Sequence, residues 1–356
     1  MDGLILSIIS IPRIIYIAKK RKLFDVPDNK RKLHLTITPN IGGMGIFFGY
    51  IITISLFISP DKIVQMGGFT QLHFIIASSF ILFLTGLYDD LANVNPNTKF
   101  IAQLMAAVIT IYFADIRLTS LHGLLGIYEL PRWISIIFSI IGCVFITNAV
   151  NLIDGIDGLA GSFTVLSTSC LGICLALSGN IGAACIATGL LGTTIGFLRF
   201  NISPARIFMG DTGSLFIGFN ISILAILTVN SFNQGSLLSP IVHSEMAMLN
   251  VALAILFVPV FDSFRVFLNR ALKGQSPFKA DRTHLHHLLL DAGFTHSEAV
   301  VILMLSNLLI VITALFTQDE NINITFASII GMAFILFTSL YYTRKKRLDK
   351  NSLLLK

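Results

Sequence analysis

The sequence predicts an all-α polytopic membrane protein of about eleven transmembrane helices, with its chemically loaded motifs gathered on one face. Three observations predict it. The chain is 54% hydrophobic and 12% charged, with a mean hydropathy of +0.81, whereas a soluble domain carries about 25% charged residues. Apolar runs of the roughly 17–25 residues that cross a bilayer recur along its length. The basic residues fall in alternate loops, the pattern that fixes orientation in a membrane.

The apolar runs lie near residues 2–18, 42–59, 72–88, 100–115, 133–150, 160–178, 180–198, 213–231, 246–268, 298–317 and 323–343. The first lacks a small-residue cleavage site and reads as a retained span, not a signal peptide. With the amino terminus outside, the inside loops and tail hold 21 of the 25 Lys and Arg residues. The outside loops hold only Lys62, Arg117 and Arg132, and Arg13 lies in the first run. That asymmetry places the carboxy-terminal tail in the cytoplasm. Basic loops of this kind are the ordinary topological signal, so no nucleic-acid partner is implied. Two inside loops are long, 19–41 and 269–297, and the outer segment 116–132 reads as a surface element. No linker rich in Gly, Pro or Ser divides the chain, so residues 1–343 are expected to form one transmembrane domain, with a basic cytoplasmic tail at 344–356. Cys143, Cys170, Cys174 and Cys185 fall in predicted spans without a Cys-x-x-Cys pair and read as packed thiols.

Polar residues in such a chain are costly, and their positions are informative. NAVNLIDGIDG at 148–158 sets Asn148, Asn151, Asp154 and Asp157 at three-residue intervals. Such steps turn roughly −60° on a helix, so neighbours share a face and the outer two do not. Gly155 and Gly158 would let the helix loosen and gather all four groups around one point. Asp-Gly also marks turns, but a turn explains one Asp, not four polar residues in register. Asp89 and Asp90 close the run at 72–88, and adjacent carboxylates repel unless a cation compensates. Lys99 is the nearest one. Acids at a helix carboxy terminus oppose the macrodipole, so helix stability gives no reason for the pair. Asp211, in FMGDTGSLFIGF, opens another run, either as an amino cap or as the holder of a metal that meets phosphate at a helix amino terminus. Carboxylates at the ends of several spans suggest one shared magnesium site.

DRTHLHH at 281–287 brings Asp281, Arg282, His284, His286 and His287 together. These groups suit a polyanionic substrate or proton handling and are poorly spaced for zinc. Gly42, Gly43 and Gly45 could cradle a phosphate, but close helix packing is at least as good a reading. In the predicted topology the Asp pair, the 148–158 cluster, Asp211 and the histidines all emerge on the cytoplasmic face. That coincidence marks the candidate active site.

Several of these segments together resemble the polyprenyl-phosphate N-acetylhexosamine-1-phosphate transferases. DVPDNKRKLHLTITPNIGG at 25–43 is similar to the family's first cytoplasmic loop. GLYDDL, NAVNLIDGIDGLAG, FMGDTGSLFIGF and KGQSPFKADRTHLHHLLLDAGF follow its remaining signatures in order. The His-x-His-His form resembles the UDP-N-acetylglucosamine branch and departs from the muramoyl-pentapeptide branch. The resemblance implies transfer of N-acetylglucosamine 1-phosphate from UDP-N-acetylglucosamine to a polyprenyl (undecaprenyl) phosphate, releasing UMP and starting lipid-linked cell-envelope glycan synthesis. It also implies magnesium, with manganese as an alternative, a place in the inner (plasma) membrane, and leaves room for a homodimer. By similarity, Asp211 is the best metal ligand, with Asp157 or Asn151 as the second. Asp89 and Asp90 would prepare the lipid phosphate, and Asn148, Asn151 and Asp154 would face the nucleotide. Lys99 would meet the phosphates, and Arg282, His284, His286 and His287 the sugar or pyrophosphate.

Two other readings compete. Asp154 to Ala160 begins like the signature of the CDP-alcohol phosphotransferases, but its alanine comes one residue early, its arginine is missing, and no Asp lies between 158 and 210 to complete it. A transporter would place its polar groups near the bilayer midplane on broken helices, usually in repeated halves. Here they gather at one interface.

Overall fold

In the computed structural model, which describes residues 2–21, 38–57, 71–274 and 283–354 with side chains to 346, nearly every element is a helix. In chain order these are α1 (Asp2–Arg21), α2 (Gly43–Phe57), α3 (Leu72–Ala92) and α4 (Pro96–Val108), which continues as a π-helix over Ile109–Phe113. There follow α5 (Arg132–Leu152), α6 (Leu159–Leu177), α7 (Ile181–Asn201) and α8 (Gly210–Asn230). The last are α9 (Glu245–Ile255), α10 (Phe257–Leu272), α11 (Leu285–Asp291), α12 (His296–Phe316) and α13 (Ile322–Leu354). Among the described residues, the segment 116–132 carries the only strands: an antiparallel hairpin of β1 (Ser120–Leu124) and β2 (Ile127–Glu129).

Each of the eleven predicted runs is helical in its described residues, but they are not equal. Among the described residues, seven helices are long and apolar enough to cross a membrane, and the pair α9–α10 makes an eighth when taken as one bent span. The other three runs, in α1, α2 and α4, are shorter or more charged over their described residues. Asp2, Arg13, Lys19 and Lys20 make α1 too charged along its 20 residues. α2 is described for only 15 residues, and α4 has 13 before its hydrogen bonding changes to the π pattern. α13 runs without a break across 343/344.

The bundle is built around α8. In its apolar window 94% of residues are buried, because α2, α3, α5, α6, α7 and α9 all pack on it. A helix surrounded on every side has no polar face to spare, so its internal polar groups must be satisfied locally. Asn220 does this at the centre: it accepts from the Tyr50 hydroxyl at 2.9 Å and donates to Ser79 Oγ and the Phe216 carbonyl, both at 2.9 Å. Outer helices instead present Phe100, Ile141, Phe316 and Phe334 outward, as bilayer-facing surfaces do.

The span expected over 246–268 is bent by 68° between α9 and α10. Proline explains it. Pro259 has no N–H and its ring collides with the carbonyl four residues back, at Ile255. Asn307 of α12 takes up both backbone groups freed by the break, donating to Ile255 O at 3.0 Å and accepting from Val258 N at 3.1 Å. The bend sends α10 along α5, and that is what closes the candidate site.

Candidate active site

Four elements converge on one cluster of charges. α3 ends in Asp89 and Asp90, and the chain turns back through Asn95, whose side chain accepts from Asn97 N at 3.0 Å, into α4 with Pro96 at its first turn. That tight return brings Lys99 back over the Asp pair. Lys99 Nζ lies 2.7 Å from Asp89 Oδ2 and 2.6 Å from Asp211 Oδ2, bridging α3 and α8. Asn151, at the end of α5, donates to Asp211 Oδ1 at 3.0 Å and to Ser214 Oγ at 2.8 Å.

Asp90 does something else. Its carboxylate accepts from Asp211 N at 3.0 Å, Thr212 N at 2.9 Å and the Thr212 hydroxyl at 2.5 Å. It therefore caps the amino terminus of α8 from a different helix, where a negative charge is favoured by the helix dipole. The amino-cap role, one of two readings of Asp211, belongs to Asp90. Asp211 itself sits in the first turn of α8, free to face Lys99. Close approach is what permits this: a Cβ on Gly86 would strike the Asp211 backbone, and one on Gly210, whose φ is +70°, would strike Asn40 O. Gly42 and Gly43 meet Phe208 and Gly213 backbone in the same way, and Gly45 meets Ile11, so the packing reading holds for these three glycines.

One oxygen each from Asp89, Asp90 and Asp211 lies within 4.8 Å of the others, a grouping that could hold a divalent cation. Hard carboxylate donors fit that use. Asp90 is largely committed to α8, while Asp89 Oδ2 and Asp211 Oδ2 both face the Lys99 ammonium. The place between them already suits a positive charge.

The 148–158 segment loosens where its glycines stand. α5 stops at Leu152, residues 153–158 form turns, and Gly158 takes a φ of +79° before α6 begins. Asn148, Asn151 and Asp154 line one cavity of about 570 Å³. Asn148 is held by Gln103 of α4, which donates to its Oδ1 at 3.2 Å and accepts at 2.6 Å. Burial, with the Asp211 and Asp90 carboxylates nearby, raises the Asp154 carboxyl well above the usual carboxylate range. Asp157, expected to join Asp211, is turned elsewhere. It is 4% exposed, accepts from Ala205 N at 3.1 Å and faces His296 Nδ1 at 3.5 Å.

His284, His286 and His287 line the same cavity as Asn148 and Asp154. His284 Nδ1 lies 3.0 Å from Asp262 Oδ2, and the same carboxylate accepts from Leu285 N, starting α11, and from Arg265. His286 packs against Gly155, where a Cβ would strike its Nε2. Burial pushes the His286 imidazole down to about 3, with His287 adding to the effect. Arg282 and Asp281, and most of the loop at 25–43, lie outside the described residues. Away from the polar groups the cavity is walled by Phe100, Leu104, Ile141 and Phe145, of which Phe100 and Ile141 also face outward.

The comparisons with known proteins agree with one another. The model of glycosyl transferase family 4 matches residues 72–229, which include Asp89, Asp90, Lys99, the 148–158 segment and Asp211. A Bacillus subtilis protein named "Probable undecaprenyl-phosphate N-acetylglucosaminyl 1-phosphate transferase" is 32% identical over 90% of this chain and 84% of its own length. The chain belongs to glycosyl transferase family 4. A Mycobacterium tuberculosis decaprenyl-phosphate N-acetylglucosaminephosphotransferase is 30% identical, over 78% of this chain and 71% of its own. An Escherichia coli undecaprenyl-phosphate alpha-N-acetylglucosaminyl 1-phosphate transferase is 28% identical, over 82% and 75%. This family 4 protein is thus a multi-pass membrane protein, and the candidate site includes residues that the motifs alone did not single out. Asp262 is the chief of them. A lone acid in the apolar run FVPVFDSF was the signal, because an ionisable group inside a span needs a partner. Gln103, Ser214 and Thr212 carried no comparable mark.

Proposed function

We propose that the protein transfers N-acetylglucosamine 1-phosphate from UDP-N-acetylglucosamine to a polyprenyl phosphate, undecaprenyl phosphate in a bacterial membrane, releasing UMP. One observation carries the reading. The Asp89–Lys99–Asp211 cluster neighbours Asn151, which lines a cavity that is polar there and apolar toward the bilayer-facing surface. A nucleotide sugar and a lipid phosphate need those two environments side by side. The relatives named above, which act on undecaprenyl or decaprenyl phosphate, support the same chemistry.

In the reaction a phosphate oxygen of the lipid forms the new P–O bond at the sugar-bearing phosphorus, and the bond from that phosphorus to UMP breaks. Little covalent work falls to the protein; charge stabilisation and positioning dominate phosphoryl transfer. Asp211 and Asp89 would hold a magnesium ion, which supplies charge neutralisation on the pyrophosphate oxygens. Lys99 would then turn to the phosphates. Asn151 orients Asp211, and Asp90 holds α8 in place. Asn148, Asp154, His284, His286 and His287 surround the donor, with Asp262 fixing the His284 ring and tautomer. Asp154, whose carboxyl is raised well above the usual carboxylate range by burial, lines the same cavity beside the donor. Arg282 keeps its place as a donor contact by its motif.

The basic asymmetry of the loops supports a site on the cytoplasmic face of the inner (plasma) membrane, where UDP-sugars are made, with the amino terminus outside. The direct test is UMP release by the purified protein from UDP-N-acetylglucosamine, with and without polyprenyl phosphate and magnesium. Release requiring all three supports the reading; release unaffected by the lipid would overturn it.

A further inference from the structure

α10 has a second cavity, bounded by α11 and α13 and not lined by any residue of the first. It measures about 400 Å³, within the range of small-ligand sites. Phe261, Leu285, Leu289 and Phe337 give it an almost wholly apolar wall, and its two charged lining residues are Arg265 and Arg344. Both guanidinium groups are only partly used. Arg265 reaches Asp262 at 2.9 Å and the Thr283 carbonyl, and Arg344 lies 3.5 Å from Asp291. The Nε of each is buried with no acceptor. Two cationic forks with spare N–H donors beside an apolar chamber complement a phosphate that carries a hydrocarbon chain. Tyr341 and Tyr342 line the same chamber, the residue type that settles at headgroup level. Basic pockets between transmembrane helices on the cytoplasmic side bind anionic headgroups.

We propose that this cavity binds an anionic phospholipid, its phosphate on Arg265 and Arg344 and an acyl chain against Phe261, Leu289 and Phe337. Assigning that lipid to the cytoplasmic leaflet rests on the orientation proposed above; the binding itself does not. The site is joined to the first cavity through one chain of contacts, because Arg265 grips Asp262 and Asp262 holds His284. A lipid phosphate on Arg265 would therefore steady the histidine side of the donor pocket.

The test uses the full chain, purified and equilibrated with equal amounts of phosphatidylglycerol and phosphatidylcholine, with retained lipid counted by native mass spectrometry. The wild type should retain phosphatidylglycerol about tenfold over phosphatidylcholine, because both lipids offer the same phosphate but the choline cation is repelled by the two guanidinium groups. Arg344→Gln should lose most of that preference. Thr338→Trp, which fills the chamber while leaving both arginines, should reduce retention of phosphatidylglycerol, and it keeps the test alive if Arg344→Gln does not fold. Equal retention of both lipids by the wild type overturns the proposal, as does an unchanged preference in a folded Arg344→Gln. Added polyprenyl phosphate displacing phosphatidylglycerol from the wild type but not from Thr338→Trp would reassign the cavity to the acceptor and equally overturn it. Retention needs neither turnover nor sidedness, so failure here is distinct from failure of the transferase reading.

Discussion

Asp89 and Asp90 are neighbours in sequence and have different work. Asp90 spends its oxygens on the amino end of α8, while Asp89 and Asp211 share Lys99. Magnesium often takes one or two carboxylates, with water and substrate oxygens completing its shell. Asp211→Asn and Asp89→Asn should each abolish turnover and raise the magnesium needed for half-maximal donor binding by about tenfold or more. Asp157→Asn should leave that requirement unchanged. If the magnesium titration instead moves with Asp157 alone, the cation lies with the 148–158 turn. Asp262 supports a second prediction. Asp262→Asn keeps the shape but loses the charge that holds His284 and Arg265, and charged hydrogen bonds contribute about 1.5–3 kcal/mol. Donor kcat/KM should fall about 10- to 100-fold, while lipid acceptor KM stays within error; a change confined to the acceptor would contradict the role given to the histidine wall. His286 adds a pH signature. Its folded value near 3 lies below the ordinary value of 6.5, so the unfolded chain binds the extra proton. Stability from this group is complete above about pH 6.5 and falls by about 1.4 kcal/mol per pH unit below it, toward pH 3. His286→Gln should flatten the melting temperature between pH 7 and pH 5 relative to wild type; an equal drop in both would remove His286 as the cause. The polar residues of the site were legible one by one, because each is conspicuous in an apolar chain. Their division of labour was not, since sequence distance hides that Asp90 faces Thr212 and that Asp262 faces His284.

At the scale of elements, local signals read well and the places where helices break read less well. The glycines at 155 and 158 announced the end of α5, and the structure turns there. The bend at Leu256 was also written in the sequence, at Pro259, but its compensation comes from Asn307, fifty residues away in α12. No local pattern reports a partner at that distance. Asn307→Leu should strand Ile255 O and Val258 N inside the bundle, each costing about 1–3 kcal/mol. Thermal unfolding in detergent should show the loss; an unchanged melting temperature would mean that the bend is held by other contacts. Gly155→Ala acts on the site instead. Its methyl would displace His286, so donor KM should rise with little change in melting temperature, and the reverse pattern would assign Gly155 to the turn alone.

For the whole molecule, composition announced a polytopic membrane protein, and charge placement is the basis of the orientation proposed for it. The span at α1 is less plain in composition than the others, because Arg13 lies within it and Lys19, Lys20 and Arg21 close its last turn. A reporter fused after Lys356 should be active only in its cytoplasm-sensing form; periplasmic activity would put the site on the side without UDP-sugars. On the proposed reading, the architecture serves to hold a nucleotide sugar's pyrophosphate against a lipid phosphate at the membrane surface. The most direct measurement labels the phosphate next to the sugar in UDP-N-acetylglucosamine and follows it during turnover with polyprenyl phosphate. The label should appear in the lipid, joined to the sugar through a pyrophosphate, with unlabelled UMP released. Label remaining in released UDP, with sugar alone on the lipid, would contradict sugar 1-phosphate transfer and the reading of the site with it.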